Sequence, residues 1–419
     1  MDLCREKYLL SPYRVLDLAD EKGLLCGRVF GDLGADVIKI EGVGGDPARS
    51  RGPFYGDIPH PEKSLFWFAY NLNKRGITLN IETTDGREIL KRLVQSADFV
   101  IESFSPGYLE ERGLDYSTLK TLNPGLILIS ISSFGQDGPY RDFKGSDLVC
   151  TAMGGELNLV GDPDRPPVRI SYPQVAFHAC VQGVVGGLVA LWGRGKKGLG
   201  QHVDVSIQQC VTWTTIGVLT RWLLAGMNTN RAGGTQVGLT MGRGFRILWP
   251  CKDGFIAFRL MGGVFGIKSN RKLAEWMQEK GDLDPVMSYA QKEDFDPENL
   301  DRETVSRIEE VVSAFFRQYT KAELYDQAIQ REMILYPVST AKDIFEDRQL
   351  RARDFWREVL HPELGCSIVY PGTFIRAPGV PAQVKRRAPR IGEHNQEIYQ
   401  GELGFSTRRI LAYKQAGII

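Results

Sequence analysis

Net charge is almost missing from this chain: 52 Lys and Arg face 51 Asp and Glu over 419 residues, leaving +1. No long-range field draws such a protein to nucleic acid or to an anionic membrane, so any attraction of an anion must come from a few local cations. Histidine is scarce. His60, His178, His202, His361 and His394 lie outside any HExxH or G-x-S-x-G context. Metallohydrolase and serine-triad chemistry therefore lack support, and no metal site is expected. The seven cysteines (Cys4, Cys26, Cys150, Cys180, Cys210, Cys251, Cys366) are scattered and never spaced CxxC. Neither a zinc knuckle nor a disulfide framework is expected, and a reducing, cytoplasmic compartment is. Long apolar runs are missing too. The most apolar stretch, 180–192, is too short to cross a bilayer, contains Gln182, and reads as a buried helix. The opening MDLCREKYLLS is charged within its first six residues and does not read as a signal peptide. No repeat of solenoid length is visible.

What is present is an alternation of short apolar strands and helical stretches. Residues 15–18 read as a strand, 24–33 have helical spacing ending at Gly34, and 37–40 form a second strand closing on Glu41. That order is a βαβ unit with a parallel sheet. The pattern returns with a helix over 85–97 and strands over 99–102 and 126–130. A helical stretch, 205–224, gives way to a Gly-, Thr- and Arg-rich loop over 228–246. A strand at 255–258 and charged helical sequence to about Met333 follow. Strands and Pro/Gly turns return from Tyr336, ending in a helix over 407–415. The expected architecture is an α/β domain built from both chain ends (1–225 and 336–419) with a smaller domain, 226–335, inserted between.

Several motifs invite a chemical reading. GVGGD, 42–46, follows a strand, yet no GxGxxG opens a helix behind it, so the dinucleotide fingerprint fails. A plain turn and a backbone cradle for a phosphate-bearing ligand both stay open. GRGKKGLG, 193–200, is basic but lacks Walker spacing and reads as a solvated turn. Ser146 or Asp147, behind Lys144-Gly145, stands where a helix would be capped. Lys74 and Arg75 put two cations at the entrance of a strand over 77–80 and alone read as surface charge.

Taken in order, DLGADVIKIE (32–41), NKRGITLNI (73–81), the segment 101–140, GLVALWGRGKKGLGQHVDVSI (187–207) and RIGEHN (390–395) resemble the class III CoA-transferases. The likeness covers most of the chain and is weakest from about 260 to 335. It implies a Rossmann-like large domain, a smaller α+β domain and two chains interlocked as a dimer. It implies nucleophilic chemistry, in which an aspartate attacks an acyl-CoA thioester to give a mixed anhydride and the thiolate returns. The CoA thioester would be a substrate, with no covalently bound cofactor. By resemblance Lys74, Phe104 and Lys144 line the CoA groove.

Counted without a gap from Asp147, the position of the family's nucleophile falls on Ala176, and 171–178 (SYPQVAFH) holds no carboxylate. A methyl group has no lone pair with which to form the anhydride. The family's small AGP stretch is replaced by Glu21-Lys22-Gly23-Leu24, and Gly42 follows the second strand where the family often has Arg. Racemase chemistry of the related α-methylacyl-CoA racemases is disfavoured, since Ser146 and Ala176 replace its histidine and aspartate. The expectation is a non-catalytic subunit of a heteromeric CoA-transferase whose homologous partner supplies the aspartate. Within the family the likeness is to subunits serving succinyl-CoA and (R)-benzylsuccinate in anaerobic toluene degradation. One alternative is an active homodimer using another carboxylate, Asp147 or Glu156. The other is a CoA-binding regulatory protein without turnover. The loops 228–246 and 261–269 would shape the acceptor pocket, and their composition allows a bulky or aromatic acid.

Overall fold

The computed structural model describes residues 8–235, 245–296, 299–377 and 382–419. Cys4 and the middle of the 228–246 loop lie outside the described residues. The chain divides into two compact units, Met1–Glu156 with Ile170–Leu224 and Gln349–Ile419, and Leu157–Arg169 with Ala225–Arg348.

The first unit is organised by β1 (Arg14–Asp17), α1 (Leu24–Asp32), β2 (Asp36–Glu41), α2 (Leu65–Tyr70), β3 (Lys74–Thr78), α3 (Thr84–Val94), β4 (Phe99–Glu102), α4 (Tyr116–Leu122) and β5 (Ile127–Ser132). After α5 (Asp147–Met153) come α6 (Val175–Lys197), β6 (His202–Ser206), α7 (Ile207–Thr214) and α8 (Ile216–Ala225). The strands form one parallel sheet in the order β3-β2-β1-β4-β5-β6. The chain starts mid-sheet, winds to one edge and returns to wind to the other, so the order reverses between β1 and β4. A crevice opens there beyond the carboxyl ends of the strands.

Burial on both faces explains why these strands read as continuous apolar runs. Val15, Val37, Phe99, Ile127 and Ile129 face α1 and α6, packing on Phe30, Cys180 and Val184. Leu16, Ile38, Val100 and Leu128 face the other way, onto Leu90 and Leu93 of α3 and Leu119 of α4. Two expected boundaries move. β5 runs on to Ser132 because Ser130 and Ser132 sit buried within the ladder. The expected helix over 205–224 starts late and breaks at Thr215, because Val203 and Val205 pair with Ile129 and Ile131 as β6. The stretch 180–192 lies within the 23 residues of α6, but only one side is buried. Gly183 and Gly187 let that side approach Ile129 and Phe30, while Val181, Val185, Val189 and Trp192 are exposed.

The C-terminal piece of this unit contains the antiparallel hairpin of β10 (Trp356–His361) and β11 (Cys366–Pro371) and the closing helix α14 (Thr407–Gln415). It covers the edge strand β3. His394 Nδ1 accepts the Gly76 N–H at 3.0 Å, Asn395 Oδ1 accepts the Thr78 N–H at 2.9 Å, and the Tyr399 hydroxyl donates to the Thr78 carbonyl at 2.6 Å. The RIGEHN motif thus pairs backbone groups that a bare sheet edge would leave open.

The second unit holds a three-stranded antiparallel sheet of β7 (Leu248–Cys251), β8 (Gly254–Phe258) and β9 (Leu335–Pro337). With it are α9 (Gly263–Lys280), α10 (Arg302–Phe316), α11 (Lys321–Arg331), α12 (Ala341–Glu346) and the first residue of α13 (Arg348–Ala352). Trp249, Trp276, Phe315 and Phe316 form its aromatic core. Tyr336 does not begin the return to the first unit: it pairs with Ala257 inside this sheet, and the return starts at Gln349. Residues 157–169 also join this unit, where the Gly161 carbonyl accepts the Gly233 N–H at 3.0 Å.

Candidate functional site

The crevice beyond the sheet is a cleft of about 500 Å³ whose wall includes Asp20 behind β1, Glu41 and Gly42 at the end of β2, Leu79–Glu82 behind β3, and Ser103, Phe104 and Tyr108 behind β4. Phe104 also borders a neighbouring pocket of about 470 Å³ that holds Lys22, Ser132, Ser133, Arg141 and Lys144. The structure therefore brings Phe104 and Lys144 together. Lys22 and Arg141 join them, both missed by sequence reading because a lone lysine or arginine in a loop carries no periodic signal.

Lys74 is elsewhere. It lies inside β3, fully buried, and its Nζ donates to Asp17 Oδ2 (2.7 Å), the Leu24 carbonyl (2.8 Å) and Asn71 Oδ1 (2.8 Å). All three ammonium protons are taken, so this cation is an interior tie of β1, α1 and β3. The reading as surface charge is overturned, and Lys74 lines neither pocket. Burial pulls its ammonium below the ordinary value, opposed by the Asp17 carboxylate.

Ser146 caps α5 by accepting the Val149 N–H, as expected. Asp147 does a second job. Its Oδ1 accepts the backbone N–H groups of Gln174 (2.9 Å) and Val175 (3.3 Å), satisfying donors at the start of α6 where Gln174 itself offers no side-chain cap. Ala176 is the second residue of α6, half-buried, its methyl packed against the core that also holds Val175 and Ala179. Rings gather around it in sequence. Phe177 stacks on Tyr70 at 4.8 Å and lies 6.3 Å from Tyr172, and the Tyr70 and Tyr172 hydroxyls meet at 3.4 Å. Glu156 is half-buried and is the last residue of its segment of the first unit.

A third polar cluster was not legible from the sequence. Glu102 at the end of β4 is 4% exposed, and burial pushes its carboxyl up to about 7 although Ser130 and the Phe104 N–H (2.8 Å) both donate to it. Ser130 in turn meets His202 Nε2 at 2.9 Å. On the other face of the sheet the thiols are inert by environment: burial pushes Cys180 up to about 12, and Cys26 also rises. The six described cysteines are free. Among the described residues no three His, Cys, Asp or Glu side chains gather as a metal site needs.

A parallel sheet whose strand order reverses, a cleft at that switch point and a helix beginning at Val175 define a doubly wound α/β protein with its crevice where this architecture takes ligands. The chain belongs to CoA-transferase family III, whose model matches residues 10–395. It is 33% identical over 397 residues to succinyl-CoA:(R)-benzylsuccinate CoA-transferase subunit BbsE of Thauera aromatica, covering 93% of each chain. It is equally 33% identical, over 412 residues and 97% of each, to succinyl-CoA–D-citramalate CoA-transferase of Chloroflexus aurantiacus. Among solved structures, a CAIB/BAIF family protein from Brucella suis superposes with a TM-score of 0.79 at 27% identity, over 94% of this chain and all of that one.

Proposed function

We propose that this chain is the non-catalytic subunit of a heteromeric family III CoA-transferase. It would act in the cytoplasm with a homologous, aspartate-bearing chain, and (R)-benzylsuccinate would be the acceptor. The observation that carries the reading is the stretch 171–178, where Ala176 stands at the family's nucleophile position and no carboxylate is within reach along the chain. The relative in Thauera aromatica is itself described as a subunit, which supports a second, different chain. The exposed apolar stripe of α6, continued by Trp213, Trp222, Leu223 and Leu224, supports extensive burial against that chain in an interlocked pair. The ring cluster of Tyr70, Tyr172 and Phe177 favours a bulky or aromatic acid.

Against an active homodimer stands the use of Asp147. Its Oδ1 accepts the backbone N–H groups of Gln174 and Val175, which fixes the carboxylate against the start of α6 and draws charge from it, lowering its nucleophilicity. Glu156 remains the alternative nucleophile of that reading. A CoA-binding regulator without turnover is the third reading.

The test is co-expression with the neighbouring aspartate-bearing homologue. A stable 1:1 complex that transfers CoA from succinyl-CoA, with no turnover by this chain alone, is expected. Robust turnover by this chain alone sinks the proposal. Ala176→Asp is expected to restore under a hundredth of the complex's rate, because Glu21-Lys22-Gly23-Leu24 also departs from the family pattern. Transfer at a comparable rate would contradict that.

A further inference from the structure

The cleft beyond β1 and β4 has the place of a nucleotide site, but its aromatic platform is engaged by the chain itself. An aromatic platform at the carboxyl ends of parallel strands is where a nucleobase would stack. Here one face of the Phe104 ring is already taken: Tyr108 lies on it with centroids 4.3 Å apart and planes 19° apart. The Arg112 guanidinium lies over the other face of the group, 3.6 Å from the Tyr108 centroid, and donates to the Tyr108 carbonyl at 2.8 Å. Glu82, reaching across from the end of β3, fastens the pile. It accepts the Tyr108 hydroxyl proton and binds Arg112 through Nη2 at 2.9 Å and Nε at 3.1 Å. Three side chains from one loop and a fourth from the opposite wall therefore make a closed stack, Phe104–Tyr108–Arg112, with an ionic lock.

The charge of the wall points the same way. Asp20, Glu41, Asp46 and Glu82 border this cleft, and each has its cation: Glu41 holds buried Arg49, Asp46 holds buried Lys39 at 3.1 Å, Glu82 holds Arg112, and Lys22, the cation on the wall, is paired with Asp20 at 2.7 Å, so none is left free for a phosphate. The nucleotide end of CoA carries a diphosphate and a 3′-phosphate, which need cations or free N–H donors to leave water. The forks of Arg112 and Arg49, behind this wall, are turned onto Glu82 and Glu41. The cations Arg141 and Lys144 line the neighbouring pocket, which Phe104 also borders, and not this cleft.

We infer that the Phe104–Tyr108–Arg112 stack, locked by Glu82, seals the nucleobase end of the groove in this chain, so that the CoA-bearing site of the assembly is the partner's. This rests on the subunit reading above and adds Tyr108 and Glu82 as the residues that set which chain takes the nucleotide. Gly107 and Gly113, flanking the stack, adopt φ +87° and +62°, so the loop's course depends on residues without a side chain.

The test is calorimetric titration of the co-purified complex with CoA and, separately, with adenosine 3′,5′-bisphosphate, which probes the nucleotide end alone. One CoA and one bisphosphate per pair of chains are expected. Tyr108→Ala combined with Glu82→Lys should open the platform and supply a cation. It should raise nucleotide affinity at this chain about tenfold to a hundredfold, with two sites per pair as the readout. Two CoA per wild-type pair would overturn the seal. So would a variant that stays at one site per pair while melting at the wild-type temperature. If the chain instead isolates as a homodimer, the subunit reading fails separately, and the bisphosphate titration still decides: saturable binding overturns the seal, and its absence upholds it.

Discussion

The two sides of α6 are built by opposite rules. Toward the sheet the helix presents mostly small residues, Ala179, Cys180, Gly183, Gly187 and Ala190, with Val175 and Val184 as its larger buried groups. Added Cβ atoms at Gly183 and Gly187 would come within 3.3 and 2.7 Å of Ile129 side-chain carbons. Away from the sheet it presents Val181, Val185, Val189 and Trp192 at i, i+4, i+8 and i+11, the last two 62% and 68% exposed. Lone folded chains place large apolar groups inside, where each fully buried one stabilises by about 1.5–3 kcal/mol. Here the large groups face outward and the small ones set a close helix–sheet approach. The difference teaches that the inner wall is optimised within the chain, whereas the outer wall is left open by it, as the proposed partner chain requires.

The inner wall should break hardest. Asp17 sits under it, 0% exposed, holding Lys74 at 2.7 Å and Lys39 at 4.0 Å. Asp17→Ala leaves the buried Lys74 ammonium without a carboxylate, while Lys39 keeps Asp46 at 3.1 Å, and should cost about 3–5 kcal/mol of stability. Urea unfolding checks this, and a loss under about 1 kcal/mol would mean the network relaxes into water. Gly187→Leu comes next. Its branch must enter space held by Ile129 and by Phe30, whose Cζ lies 3.2 Å from the new Cβ. Overpacking of about 1–3 kcal/mol is expected, read as a fall in melting temperature.

Legibility follows the same division. The strands of the inner sheet were readable because burial on both faces writes itself as apolar runs, and α14 was placed at its observed limits. The fate of Lys74 was not readable, since a lysine beside an arginine looks solvated until Asp17 and the Leu24 carbonyl, distant in sequence, close on it. Ser146 was readable as a cap because capping is local. The second role of Asp147, at a helix start far along the chain, was not. Phe104 and Lys144 were found through family likeness alone. The stack that covers Phe104 needs Glu82 from another strand end, a pairing that no spacing rule announces.

Glu102, equally hidden, gives a pH test on the side of the sheet away from α6. Its folded-state pKa of about 7 stands above the unfolded value, so the folded state binds the extra proton. Its contribution is therefore fully present below about pH 4 and is lost as pH rises through 7. Glu102→Gln removes the ionisation. Relative to wild type the variant should gain stability between pH 5 and 8 by about 1–3 kcal/mol. Parallel melting curves that keep a constant gap across that range would contradict it.

The smallest effect on folding should come from the outer wall, and it is the most informative. Val185→Lys with Trp192→Glu replaces two solvent-facing groups that, among the described contacts, pack little against their own unit. Surface changes of this kind alter stability by only about 0.5 kcal/mol. The same pair of charges in a desolvated interface would lie opposite apolar groups with no counter-ion, a cost of several kcal/mol. Fold and assembly should therefore separate: circular dichroism and melting of the isolated chain unchanged, co-purification with the homologous partner abolished. If the double variant still forms the 1:1 complex, the outward stripe is not the contact, and the reversed order of large and small residues on α6 must be explained within the single chain. If it unfolds, the stripe is core that packs more tightly than its exposure indicates, and the contrast between the two walls fails at its root.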